Sequence, residues 1–439
     1  MLRLFGIWPL LVLVAASPAA AQPALTLADA IGRARLQAPD ANASAAGARE
    51  AAQQVTQARA AFLPRVDLTE SWQRSDQPVF VFSSLLSQRR FTTANFAIDA
   101  LNHPDAIDNF RTAIVAEQPV FDVTARSAVA TATIAGQIAE ARRAQVAQDL
   151  AVAVTAAFGR ALTAIESKKS AAAAVASARA DRELGINRRD AGLATDADVL
   201  AIDVFTARAL EQEIHATADE RTARAELNAL IGEPLAAVFA LDAHVAAAAI
   251  DTADLEALQI EALAHRPDVA MARFEERLGT AGVDAARAAY LPSVSAQGGW
   301  EFNGGTWTDR TSSWMVGAFA RVNLFRGFAD KARLAAAHEQ VVRRSHERRK
   351  VEDTARLDVY AAAARLDAAR ASVTVGRAAA AQARESHRII RDRYDNGLAD
   401  VTALLRAAES VVQAEAQQAS ADVAVLIATA ALERALGRQ

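Results

Sequence analysis

The sequence predicts a mainly α-helical chain with a small amount of membrane β-structure, built as a tandem duplication of long coiled-coil helices and a pair of β-strands. Three observations predict it. The composition is 52% hydrophobic yet only 5% aromatic, because alanine supplies much of the apolar count. A core of alanine is thin, but alanine favours long helices and lets their backbones approach closely. Blocks of sequence recur at fixed offsets. Proline closes a helical pattern at Pro64 and again at Pro292, and after each the apolar period changes to two.

The duplication sets the boundaries. Pro39-Asp40 recurs as Pro267-Asp268, and the block Ala58 to Pro64 recurs as Ala286 to Pro292; 267 − 39 and 292 − 64 are both 228. Arg188 to Ala194 recurs as Arg393 to Ala399, and Leu227 and Gly232 as Leu432 and Gly437; 397 − 192 and 437 − 232 are both 205. The first copy, residues 22–232, is therefore 23 residues longer between Pro64 and Gly192 than the second, 255–439, is between Pro292 and Gly397, and residues 233–254 link them. The extra residues are expected between about Ser75 and Asn109, where Gln77-Pro78 and His103-Pro104 carry loop chemistry.

Residues 1–21 read as an export signal: Arg3, an apolar run from Ile7 to Ala16, then Ala19-Ala20-Ala21 as a cleavage pattern. With no cysteine, the chain has no disulfide, thiolate nucleophile, cysteine metal site or lipobox. A net charge of −4 without a basic tract speaks against nucleic acid as a partner. After the signal no unbroken apolar run reaches about eighteen residues, which is taken to exclude transmembrane helices but not strands.

Each copy opens with one helix, roughly Leu25–Ala61 and Leu255–Ala289. Then come the strands, about 65–121 with a long loop at 75–109, and about 293–325. In the second pair Val294, Ala296, Gly298, Trp300 and Phe302 alternate with polar or small residues, and Trp314, Val316, Ala318, Ala320, Val322 and Leu324 form another apolar face. Asn303-Gly304 between them reads as a type I′ hairpin turn. The first pair echoes the second with Val66, Leu68 and Trp72, then Phe110, Thr112, Ile114 and Ala116, with Glu70 interrupting. Strands of about ten residues suit a tilted bilayer crossing, and Trp72, Trp300 and Trp314 suit an interfacial girdle. The plain alternative is a hairpin packed on the helices. The loop from Pro78 to Phe96 is unusually apolar and reads as a packed loop, a cover for the barrel mouth, or a lipid contact.

Very long helices follow, about Asp122–Arg189 and Gly327–Arg393, each turning at Gly192 or Gly397 into a returning helix. On the last one, Leu405, Ala408, Val412, Ala419, Val423, Leu426 and Ala430 recur at coiled-coil spacing. Helices of that length must pack within and between chains. Four strands cannot close a membrane barrel, so chains must share one. Two chains would give eight strands and a filled interior, whereas three would give twelve and a lumen, which favours three.

This order of helix, Leu-Pro, strand pair, long helix and Gly-Leu turn, made twice, resembles the TolC family of outer-membrane efflux proteins over essentially the whole mature chain. The resemblance implies a homotrimer in the outer membrane of a Gram-negative bacterium, with a twelve-stranded barrel over a periplasmic α-helical tunnel. It also implies a passive exit duct of a tripartite efflux or type I secretion system, docked on a periplasmic adaptor and driven indirectly by an inner-membrane pump of the RND or ABC type. Each returning helix would stack end to end on its copy's first helix.

By the same resemblance, Gly192, Leu193, Ala194, Gly397, Leu398 and Ala399 would be adaptor-docking tips. Each glycine is equally a helix C-cap needing a left-handed backbone. Asp198 and Tyr394 match positions that narrow and close the tunnel mouth, with Asp196, Asp395 and Asp400 as substitutes, while Ala399, Ala403 and Arg406 depart from the family pattern. An acidic ring near Asp198 would favour cations by field focusing. Seven dispersed histidines form no H-E-x-x-H pair, and neither a phosphate loop nor a G-x-S-x-G elbow is present, so neither catalysis nor a cofactor or metal is expected. The competing reading is a secreted coiled-coil structural or adhesin protein.

Overall fold

The computed structural model describes residues 24–243 and 249–438. The export signal at 1–21 and residues 244–248 of the linker lie outside them.

In chain order the first copy gives α1 (Leu27–Gln37), α2 (Pro39–Ala60), β1 (Arg65–Ser75), α3 (Pro78–Ser87), a 3₁₀ turn (Thr93–Phe96), α4 (Ile98–Asn102), β2 (Ile107–Phe121), α5 (Val123–Asp190) and α6 (Asp196–Ile231). The second gives α7 (Leu255–His265), α8 (Pro267–Ala288), β3 (Ser293–Gly304), β4 (Thr311–Arg321), α9 (Ala329–Asp395) and α10 (Val401–Leu436). Contacts divide the described chain into two compact units. One holds the residues up to Pro39 with Asp149–Thr252 and Ala362–Leu432; the other holds Asp40–Gln148, Ala253–Ala361 and the residues from Glu433.

The single opening helix expected in each copy is in fact two. Pro39 and Pro267 each start a new helix, and the residues before them are driven out of the helical region: Ala38 lies at φ −59°, ψ 135° and Arg266 at φ −68°, ψ 129°. Each returning helix ends against the break in its own copy. Gly232 and Gly437 take φ of 75° and 78°. A Cβ on Gly232 would stand 2.7 Å from Gln37 Cβ, and one on Gly437 2.6 Å from the carbonyl carbon of His265. Glycine is required there twice over, for its backbone and for the close approach.

In the first unit the distal part of α5 packs on α6, where Val175 and Ala178 meet Ala209, and Gly185 leaves room for Ile202. Lys168–Glu220 at 2.8 Å and Arg182–Asp203 stitch this pair, while Arg384–Glu415 at 2.7 Å and Arg377–Asp422 at 3.0 Å stitch α9 to α10. On α10 the buried residues are Val401, Leu404, Ala407, Ala421, Thr429, Leu432, Ala435 and Leu436. The stripe read from the sequence, beginning Leu405, Ala408 and Val412, is only half-buried and flanks them. In the second unit α8 packs on the first part of α9 through Val283, Ala286 and Ala337.

An 18-residue window of α5 reaches a mean hydropathy of 1.3, enough on composition alone for a membrane span. Alanine and valine create it, and Val154, Ala157, Phe158 and Ala161 of α5 are fully buried in the protein.

The strands form one antiparallel sheet in the order β1-β2-β3-β4. The two-residue turn expected at Asn303-Gly304 is absent: β3 runs through Gly304, Asn303 pairs with Thr311, and residues 305–310 make the connection. The Asn303 amide is engaged instead by Asn109 at 3.0 Å and Glu301 at 2.7 Å. β4 ends at Arg321, so Val322 and Leu324 lie beyond it. The long connection after β1 is largely helical, through α3, the 3₁₀ turn and α4.

Candidate functional site

Register alone sorts the sheet into two faces. Val66, Leu68 and Trp72 fall level with Ala116, Ile114 and Phe110; these continue across to Gly298, Trp300 and Gly304, and then to Val316 and Trp314. The opposite face carries Arg65, Asp67, Thr69, Ser71 and Gln73 on β1, Asn109, Arg111 and Glu117 on β2, and Ser295, Gln297 and Glu301 on β3. Ala113, Val115, Met315 and Phe319 are its apolar exceptions. On the apolar face Trp72, Trp314 and Val316 are 61%, 71% and 78% exposed, and no described element covers them. An eleven-residue strand tilted by about 40° spans ~28 Å, close to the apolar band of a membrane barrel.

The charges on the apolar face are all paired at one end, away from the helix junctions. Glu70 accepts from the Thr112 hydroxyl and from Arg310 at 3.1 Å, and the Arg310 guanidinium lies 4.1 Å from the Trp307 ring centre. The indole N–H of Trp72 donates to Asp108 at 3.0 Å, and Arg74 joins the same carboxylate at 2.8 Å. Glu70 therefore interrupts the apolar face as half of an ion pair in an aromatic collar, which is how an interface tolerates charge.

The two tips are copies of one device. At the first, Leu193 N–H donates to Arg188 O at 2.8 Å and Gly192 N–H to Arg189 O at 2.9 Å; at the second, Leu398 donates to Arg393 O at 2.8 Å and Gly397 to Tyr394 O at 3.0 Å. Both glycines have φ of 73°, so both helices end in Schellman caps. The leucine after each cap is turned outward, 70% exposed for Leu193 and 77% for Leu398. Ala194 and Ala399 are half-buried, and Ala399 packs against Ile202, Tyr394, Val401 and Leu404.

The acidic candidates divide by duty. Asp198 closes a capping box: its carboxylate accepts from the Thr195 N–H and hydroxyl, both at 2.8 Å, and its own N–H donates to Thr195 Oγ1 at 3.2 Å. Those hydrogen bonds, the backbone one foremost, hold its carboxyl below the ordinary range. Asp400 accepts from Ala403 N–H at 2.7 Å and starts α10. Asp196 is exposed, 3.7 Å from Arg189. Asp395 contributes its backbone carbonyl to Arg188 at 3.2 Å. Tyr394 is buried beneath the Arg188 guanidinium, 4.7 Å from the ring centre, and its hydroxyl has no hydrogen-bond partner among the described residues. Burial raises its pKa above the ordinary tyrosine value.

The sequence reading missed the groups behind this tyrosine. Asp181 of α5 is almost wholly buried and accepts from Arg391 of α9 at 2.7 Å; His387 lies one turn away with Nε2 buried and unpartnered in the chain. Burial pushes the Asp181 carboxyl up, against the pull of Arg391 and His387, and pushes the His387 imidazole down, with Arg391 adding to the effect. A signal was available. Asp181 and Arg188 are seven apart, and His387, Arg391 and Tyr394 are spaced by four and three, so each set shares one helix face. Among the described residues no three His, Asp or Glu side chains gather to hold a metal ion.

An amphipathic sheet whose apolar face no described element covers, joined to long helices, is the architecture of an outer-membrane channel subunit. The chain belongs to the outer membrane efflux protein family, which it matches over residues 30–233 and 258–438. It is 30% identical over 322 residues to Protein CyaE of Bordetella pertussis, covering 69% of this chain and 65% of that protein, so it spans somewhat under two thirds of that relative. Among solved structures it resembles the Campylobacter jejuni CmeC outer membrane channel, with a TM-score of 0.78 at 15% identity over 94% of this chain and 85% of that one. It is similar to the outer membrane protein VceC of Vibrio cholerae, with 0.77 at 20% identity over 94% and 96%. The open state of the Neisseria gonorrhoeae MtrE outer membrane channel gives 0.75 at 18% identity over 94% and 89%. The fold is thus the TolC-like one, with a helical domain on the periplasmic side.

Proposed function

We propose that three copies of this chain form a passive exit duct, carrying substrates from the periplasm across the outer membrane after docking on a periplasmic adaptor coupled to an inner-membrane pump. One observation carries this reading: a four-stranded sheet with an apolar face broken only by paired charges, and with edges at β1 and β4 that are unpaired among the described residues. In lipid those edges need partners, and only further copies offer the same register and faces. Three copies make twelve strands and leave a lumen lined by the polar face.

The tips supply the coupling. Leu193 and Leu398 stand on rigid caps as paired apolar contacts for an adaptor, with Gly192, Ala194, Gly397 and Ala399 shaping the backbone beneath them. The resting mouth is held by Arg188 on Tyr394 and by Asp181 on Arg391, contacts joining α5 to α9 that must yield when the tunnel opens. Asp196 and Asp395 supply exposed negative charge beside them. Asp198 and Asp400 serve as helix caps first, so a cation preference at the mouth draws on Asp198 only while it remains a cap.

Native mass spectrometry of the detergent-extracted protein tests the subunit count, and planar-bilayer conductance tests the duct. A monomer that is soluble without detergent would overturn the proposal. A secreted coiled-coil stalk is disfavoured, since it has no use for an uncovered apolar sheet face.

A further inference from the structure

The 31-residue connection between β1 and β2 has only a six-residue counterpart between β3 and β4, and it puts a helix on the polar face of the sheet. α3 starts beside the end of β1. At its other end Gln88 donates to Asp108 O at 2.9 Å and to Asn109 Oδ1 at 3.0 Å, and Asn109 in turn donates to Asn303. The Thr311 hydroxyl donates to Ser87 O at 2.6 Å, and Arg89 to Ser312 O at 3.2 Å. The helix thus begins at β1 and ends over β3 and β4. Ten helical residues cover ~15 Å and three strand spacings ~14 Å, so α3 is as long as the sheet is wide.

Its two sides differ. Val81, Ser84 and Gln88 are buried against the sheet. Opposite them Val79 is 75% exposed, Leu86 49% and Phe82 37%. Edge-to-face stacking of Phe82 on Phe91 at 4.9 Å braces the helix from its flank. An apolar ridge is thereby fixed on the side of the sheet that faces water in a barrel.

We infer that α3 is one third of an apolar collar inside the outer mouth of the duct, completed by the α3 helices of two further copies. The inference rests on the shared twelve-stranded barrel proposed above. Twelve strands about 4.8 Å apart and tilted by about 40° give a backbone radius of ~12 Å. A helix roughly 10 Å thick along the whole inner rim reduces that to a few ångströms, lined by Val79, Phe82 and Leu86. A narrow apolar ring sheds water and resists small ions, so the duct has an outer constriction independent of the one at its helical tips.

The absence of cysteine makes the test direct. Leu86→Cys places a thiol on the ridge, and Ser71→Cys places one on the bare polar face of β1. Both purified channels are treated with a mono-maleimide and, separately, with a short bis-maleimide. Both positions should label, and only the Leu86→Cys channel should be converted to covalent dimers and trimers, because thiols at the wall of such a barrel stand ~15 Å apart. Three outcomes overturn the collar and leave the barrel standing: position 86 fails to label, labels without crosslinking, or crosslinks no better than position 71 while native mass spectrometry counts three copies. A native count of one overturns both.

Discussion

Val316 lies at the middle of β4 and Gln297 on the adjoining strand, at neighbouring levels of the same sheet. Val316 pairs with Gly298 and points to the apolar side; Gln297 pairs with Gly317 and points to the polar side. A charge placed near the midplane of the lipid-facing surface costs about 2–4 kcal/mol per chain, whereas a lumen-facing charge remains hydrated. In a barrel of three copies Val316→Arg would therefore cost on the order of 6–12 kcal/mol, comparable to the whole stability of a domain, and Gln297→Arg close to nothing. The assay is the fraction of each variant recovered as oligomer from the outer membrane, with far-ultraviolet circular dichroism showing that the helices are intact. Val316→Arg should be nearly absent from that fraction and Gln297→Arg present at the parental level. Equal recovery, or the reverse order, would refute the assignment of faces and with it the membrane role of the sheet.

Other consequences are local. Leu193→Glu with Leu398→Glu should leave folding and insertion unchanged and abolish export in cells holding the partner adaptor, read as substrate retained. Thr195→Ala removes the α6 cap at about 1 kcal/mol and should speed amide exchange over the first turn of α6 without altering oligomer recovery. His387 is half-buried and its pKa is lowered, so its contribution to stability is present above the ordinary histidine range and is lost as pH falls through the lowered pKa. Arg391 and Asp181 face it from α9 and α5, and acidification acts the other way on Asp181, whose raised pKa favours the acid form. Amide protection around Tyr394, taken relative to the intrinsic exchange rate at each pH, should fall as pH falls from 7 to the lower end of the histidine range, and His387→Gln should flatten that dependence; an unchanged slope would remove His387 from the contact.

Much of the architecture was legible because duplication writes it twice. The repeated Pro64 and Pro292, and the glycines at 192, 397, 232 and 437, each mark a local backbone requirement, and local requirements survive in sequence. Pro39 and Pro267 were equally visible, but as repeat markers their power to split a helix went unused. The Asn303-Gly304 turn failed because a side-chain partner, Asn109, lies 194 residues away and recruits the asparagine into the strand. The apolar run at 78–87 reads as a loop because ten residues behind a proline give too few turns to reveal a helical stripe. The Asp181, His387 and Arg391 cluster needs α5 and α9 to meet, and no single helix announces its neighbour. Asp198 was seen as a gate charge, and the Thr195 box three residues earlier, readable from spacing alone, shows its first duty.

The two long helices contain 68 and 67 residues and the two returning helices 36 each. That parity acts as a ruler. Removing a single residue from one of the four would rotate everything beyond it by about 100° and set its ion-pair ladder against the wrong neighbours. A shorter or longer set of these four helices keeps its contacts in steps near seven residues, ~10 Å, cut or added at the same level in all four.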